Sequence, residues 1–173
     1  MKKKRKIDFV LYENKYEIVT FRFYPRQSNC HSFNDTPPKN WSEVYKVYFS
    51  YRVFRRWKEN NSTETLFECT CDECSVIKEI SNRIEYIVQG KNTISVNCGG
   101  EEYIIKLFDE EVFPIGYGVS WIIHKLSSDE YSVTMWEWNN IGYRFVLDKD
   151  KLKKFGEYLN EYCEYMLAHG DPI

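Results

Sequence analysis

No stretch of this chain approaches the roughly 18–20 consecutive apolar residues that a membrane-spanning helix needs. The opening MKKKRKIDFVLYENKYE has a basic start but lacks the apolar core of a secretory signal, so a cytoplasmic location is expected and Lys2 to Lys6 read as a solvated basic terminus. Without export, the six cysteines are expected to be reduced thiols. Glycine and proline number only eight and five, which excludes collagen-like and low-complexity classes. Histidine occurs three times, and GxSxG, HExxH, phosphate-loop and dinucleotide fingerprints are all missing. The enzyme classes those motifs mark are therefore not indicated.

What the chain has in surplus is aromatic side chain, 17% of 173 residues. Flat rings pack well across pleated strands, and Tyr and Trp also serve as contact anchors. Formal charge is -2, but it divides unevenly along the chain. Residues 1–60 hold 14 Lys/Arg against 6 Asp/Glu, whereas residues 61–173 hold 10 against 20. A polarity of that size suggests a partner met electrostatically.

Periodicity predicts an α+β domain over 1–173: antiparallel sheets of roughly eight to nine strands packed against two amphipathic helices. It divides into sub-units 7–90 and 91–170, read as two similar strand–turn–strand–helix units without residue-by-residue duplication. Residues 7–12 and 16–24 form a hairpin around Glu13-Asn14-Lys15, with Val19, Phe21 and Phe23 on one face. A long polar loop spans 25–41. Strand 44–57 follows, its core face carrying Tyr45, Val47, Phe49, Tyr51 and Val53.

A short strand 65–68 then leads to a helix opened by a capping box at Thr70-Cys71-Asp72-Glu73. Its apolar stripe is Ile77, Ile80, Ile84 and Ile87, and Gly90 is its left-handed cap. Residues 93–97 and 102–108 read as a hairpin. Asp109–Glu111 and the Pro114–Gly118 stretch read as breaks. Strands 119–126, 131–138 and 143–147 precede a terminal helix capped by Asp148, whose stripe is Leu152, Phe155, Leu159, Tyr162 and Met166.

Three sets of residues are candidates for function. The first is a protein-contact surface: the aromatics Trp136, Trp138 and Tyr143 with the helix acids Glu157, Glu161 and Glu164. It supports a non-enzymatic intracellular inhibitor, immunity or anti-defence factor acting on a protein such as a nuclease or toxin, with no cofactor. Whether the face of strand 131–138 bearing Trp136 and Trp138 is buried stays open.

The alternative is a single-stranded nucleic-acid binder using Lys46, Tyr48, Arg52 and Arg56, where cations alternate with aromatics on one face of strand 44–57. The third reading is a zinc- or cysteine-dependent enzyme around Cys69, Cys71, Cys74 and Cys98, though CxCxxC is not the paired CxxC of zinc ribbons. Of the histidines, His31 beside Cys30 is the one to test for catalysis. His124 reads as a satisfied core or rim residue, and His169 as a helix-end residue.

Overall fold

The computed structural model describes residues 8–24, 48–90, 93–98, 101–106, 110–115, 119–137 and 142–169. The fold is α+β, with antiparallel sheets and two helices. The chain divides into two compact units, one made of residues 1–76 with 161–173 and the other of residues 77–160.

The first unit is built on β1 (Asp8–Glu13), β2 (Glu17–Tyr24), β3 (Tyr48–Trp57) and β4 (Thr63–Glu73), neighbours in chain order and all antiparallel. Asn14 closes the first hairpin because its side-chain oxygen accepts from the amides of Tyr16 and Glu17 at 2.7 and 2.9 Å, a turn that short polar residue makes readily. The second hairpin turns at Asn60-Asn61. Asn61 takes φ 57°, a left-handed conformation that asparagine tolerates, and Ser62 donates back to Asn60.

Alternation sends Val19, Phe21 and Phe23 of β2, Tyr51 and Val53 of β3, and Phe67 and Cys69 of β4 into one core, all buried. Tyr51 stacks on Phe21 with ring centroids 5.2 Å apart, and Tyr162 stacks on Phe23 at 4.2 Å. At the end of this face Arg55 Nε sits 2.5 Å from Glu17 Oε2, and its Nη1 is 3.2 Å from Glu64. The guanidinium also lies over the Trp57 ring.

α1 (Cys74–Val88) and the capping box expected before it differ from the sequence reading. Residues 70–73 belong to β4, which pairs with β3 as far as Tyr48 opposite Glu73, and the helix begins at Cys74. The cause is non-local: a strand partner along the whole of β3 outweighs a local cap. The stripe itself is as expected, with Ile77, Ile80 and Ile84 buried and Ile87 half-buried, and Gly90 at φ 70° ends the helix.

In the second unit β7 (Glu110–Ile115), β8 (Val119–Lys125), β9 (Glu130–Glu137) and β10 (Gly142–Asp148) form a meander, and β5 (Thr93–Cys98) pairs with β6 (Glu101–Lys106) as a hairpin. The expected count of eight to nine strands is not what is found. Seven strands, β1–β4 and β8–β10, have described side chains, and β5–β7 are given by backbone pairing. The strand not foreseen is β7. It contains Pro114, which a ladder tolerates only at an edge, and β7 is the edge of its sheet.

α2 (Lys149–His169) opens on Asp148, whose carboxylate accepts from the Lys151 amide at 2.7 Å, the cap foreseen from sequence. Leu152, Phe155, Leu159 and Tyr162 are buried. Phe155 lies parallel to Trp121 at 6.0 Å and edge-on to Phe145 at 5.9 Å, so the helix covers the sheet face of Trp121, Ile123, Val133, Met135 and Phe145. α1 crosses α2 at Gly156, where an added Cβ would stand 2.8 Å from Ile84 Cγ2. The buried Ser81 hydroxyl donates to the Gly156 carbonyl at 2.7 Å.

Tyr131 is buried in this unit, and burial first, then the Asp129 carboxylate, raise its phenol above the usual 10.0. A raised pKa means that the folded chain keeps the proton that the unfolded chain loses. The neutral phenol's contribution is thus intact below about pH 10 and is lost as the pH climbs beyond it. Denaturant melts from about pH 8 to about pH 11 should show alkaline destabilisation that Tyr131→Phe reduces. Equal pH profiles for the two proteins would show that this phenol does not contribute.

Candidate functional site

With the inner faces of both sheets filled, chemistry available to a ligand lies on their outer faces. Strand pairing sets the outer face of β1–β4 in three rows. Asp8, Arg22, Arg52 and Glu68 stand side by side in the first. Val10, Thr20, Phe54 and Thr65 make the second, and Ile18, Arg56 and Thr63 the third. The register slips between Val53 and Phe54, so β4 carries one extra residue there. That bulge brings Thr63 and Thr65 onto the face of Arg56 and Phe54, although Phe67 is in the core. These side chains, Glu68 apart, line an open groove of about 400 Å³.

Three arginines against Asp8 and, at the end of the first row, Glu68 leave this face a small positive balance. Arg22 grips Asp8 with both arms of its fork, Nη2 donating to Oδ2 at 2.6 Å and Nε to Oδ1. The guanidinium carbons of Arg22 and Arg52 lie 4.9 and 5.6 Å from the centre of the same Phe54 ring. Like charges directly opposite one another repel, and here Asp8 and the ring's negative face hold them together.

The nucleic-acid set expected on strand 44–57 is placed in part. Arg52 and Arg56 line the groove. Lys46 and the Tyr48 side chain lie outside the described residues. Phe54 shares the face of Arg52 and Arg56, as the alternation of strand 44–57 predicts, whereas Arg22 and the threonines were missed, because β2, β3 and β4 had to be paired in register before their outer faces joined.

The protein-contact set is separated. Val133 and Met135 lie fully buried on the apolar face of β9, while the other face carries buried Ser132 and Thr134 and, at its end, Trp136, which stays 42% exposed. Tyr143 pairs with Met135 and Gly142 with Trp136, so Tyr143 belongs to the opposite face, half-buried against Phe145. The side chain of Trp138 lies outside the described residues.

Glu157, Glu161 and Glu164 share the exposed side of α2, as their spacing predicts. α2 covers the inner face of the second sheet, so Glu157 and Trp136 occupy opposite layers and form no common patch. On its own face Trp136 has half-buried Ile122 and Arg144 in the next row, and 52% exposed Val146 and His124 in the row beyond. His124 is exposed, contrary to the core or rim position expected for it. Gly142 seats the indole, since a Cβ there would lie 2.8 Å from Trp136 Cε3 and 2.8 Å from the Met135 carbonyl oxygen.

Of the four cysteines, Cys69 is buried, opposite Tyr51 in the core. The side chains of Cys71, Cys74 and Cys98 lie outside the described residues, as do His31, the His169 side chain, Lys2 to Lys6 and the polar loop 25–41. Among the described residues no three His, Cys, Asp or Glu side chains gather as metal ligands. Among them also, no helix is long and apolar enough to cross a membrane.

Counted by unit rather than by chain half, the sequence charges are more nearly balanced. The first unit holds 14 Lys/Arg and 13 Asp/Glu, a net of +1, and the second holds 10 and 13, a net of -3. Acidic β4 and the acidic end of α2 are grouped with the basic N-terminal strands, so the imbalance is one of chain order.

No known family model matches the chain, and neither a curated protein nor a solved structure does.

Proposed function

We propose that this protein is a non-enzymatic, cytoplasmic binding factor of the small-inhibitor kind, immunity or anti-defence in type, whose partner is a protein such as a nuclease or toxin. The observation that carries the reading is Trp136, 42% exposed on the outer face of a sheet whose other face is already packed. An exposed large aromatic on the same sheet face as Ile122, one row away, and Val146, two rows away, has a solvation cost that docking against an apolar surface removes. Gly142 lets the ring rest against the strand, so less side-chain freedom is lost on binding. Arg144, whose Nη2 donates to Ser132 Oγ at 3.0 Å, supplies a fixed cation beside the apolar cluster.

Affinity capture from the source cell, with Trp136→Ala as the paired bait, tests the reading. The wild-type chain is expected to retain a specific protein that the variant loses, at a cost of about 2 kcal/mol or more, roughly a thirtyfold weakening. Trp136 is outside the core, so circular dichroism and melting temperature should stay close to wild type. Equal recovery by both baits would remove this face from the interface and the reading with it.

A further inference from the structure

We propose a second binding site, independent of Trp136: the groove on the outer face of β1–β4 takes single-stranded nucleic acid. Arg52 and Arg56 engage backbone phosphates there, and a base stacks on the Arg22–Phe54 platform. The two phosphate-binding arginines sit four residues apart on one strand, facing the same side with Phe54 between them. Arg22 is held by Asp8 in a bidentate fork, and its guanidinium lies over the Phe54 ring. A guanidinium held over a ring is a planar, charged surface on which an unpaired base stacks.

Thr65 and its neighbour Thr63 place hydroxyls at the edge of the groove, suited to sugar or phosphate oxygens. The volume, about 400 Å³, is at the small-ligand end of pocket sizes, enough for one nucleotide unit at a time.

Charge and shape separate this occupant from the others. A duplex hides its bases in its own stack, so the platform would go unused. An acidic peptide offers carboxylates to the arginines but nothing planar to the ring. The groove offers phosphates two arginines, Arg52 and Arg56, so few phosphates are engaged. Two phosphate contacts on a single strand give log K against log salt a slope of about −1.4, shallow for a nucleic-acid binder.

The test is fluorescence anisotropy of a labelled ten-base single-stranded oligonucleotide, titrated with the full chain at several salt concentrations starting near 50 mM. Binding is expected with that shallow slope. Arg56→Gln, at an exposed position, should lower the slope by about 0.7 and weaken binding, and Phe54→Leu should weaken it about tenfold or more while leaving the slope. Trp136→Ala should bind the oligonucleotide as wild type does, which keeps this result separate from that of protein capture.

Competition identifies the occupant. Unlabelled single strand should displace the probe, whereas a duplex of equal length, a mononucleotide and an oligoglutamate peptide should displace it far less. Absence of binding at the lowest salt overturns the proposal. So does unchanged affinity in both Arg56→Gln and Phe54→Leu, or displacement by mononucleotide or oligoglutamate as effective as by the single strand.

Discussion

Replacing Phe155 with alanine is expected to destabilise the chain by about 3–5 kcal/mol, the range for truncating a fully buried aromatic. Phe155 has no solvent exposure, stacks parallel to Trp121 and meets Phe145 edge-on. Two terms add: the lost transfer of the ring out of water, and a cavity that its neighbours cannot close. Closure is blocked because Trp121 is itself buried and belongs to a strand paired on both sides. Phe155→Leu, which keeps most of the volume, should lose far less, about 1.5 kcal/mol or under. Urea unfolding of the three proteins gives the comparison, and hydrogen exchange should locate the alanine variant's loss in β8–β10. A cost below about 1 kcal/mol for the alanine would mean that helix and sheet are not packed as described.

What could be read from the sequence was what local periodicity specifies. The α2 stripe and the Asp148 cap are features of adjacent turns, and both are present. The inward alternation of Val19, Phe21, Phe23, Tyr51 and Val53 depends only on strand period. Failures came where a partner strand decides. Thr70–Glu73 has the pattern of a helix cap, yet β3 offers it a ladder and it becomes strand. Pro114 looks like a break until β7 is known to be an edge. The same holds for the candidate sites. Arg22 and Arg52 are thirty positions apart in sequence but directly opposite in register, so the groove exists only after pairing. Trp136 and Tyr143 lie close in sequence, but they face opposite ways because pairing sets Trp136 against Gly142.

The first unit allows a sharper test than single truncation, because one aromatic pair joins its sheet to the end of α2. Phe23 is fully buried, its ring 4.2 Å from Tyr162 in a stacked arrangement and edge-on to Phe21 at 5.0 Å and Tyr51 at 6.1 Å. Phe23→Ala should cost about 3–5 kcal/mol, since it removes a ring with aromatic neighbours on several sides. Tyr162→Ala should cost somewhat less, because truncating a residue on the last turns of a helix lets that segment adjust. The decisive quantity is the double-mutant cycle. If the stacked contact is real, the double variant should be less destabilised than the sum of the singles by about 0.5–1.5 kcal/mol, the coupling of an aromatic pair. Equilibrium unfolding of the four proteins in urea supplies all corners of the cycle. Strict additivity would show that Phe23 and Tyr162 act as independent core residues, and the sheet would then hold the helix end by area alone rather than through this stack.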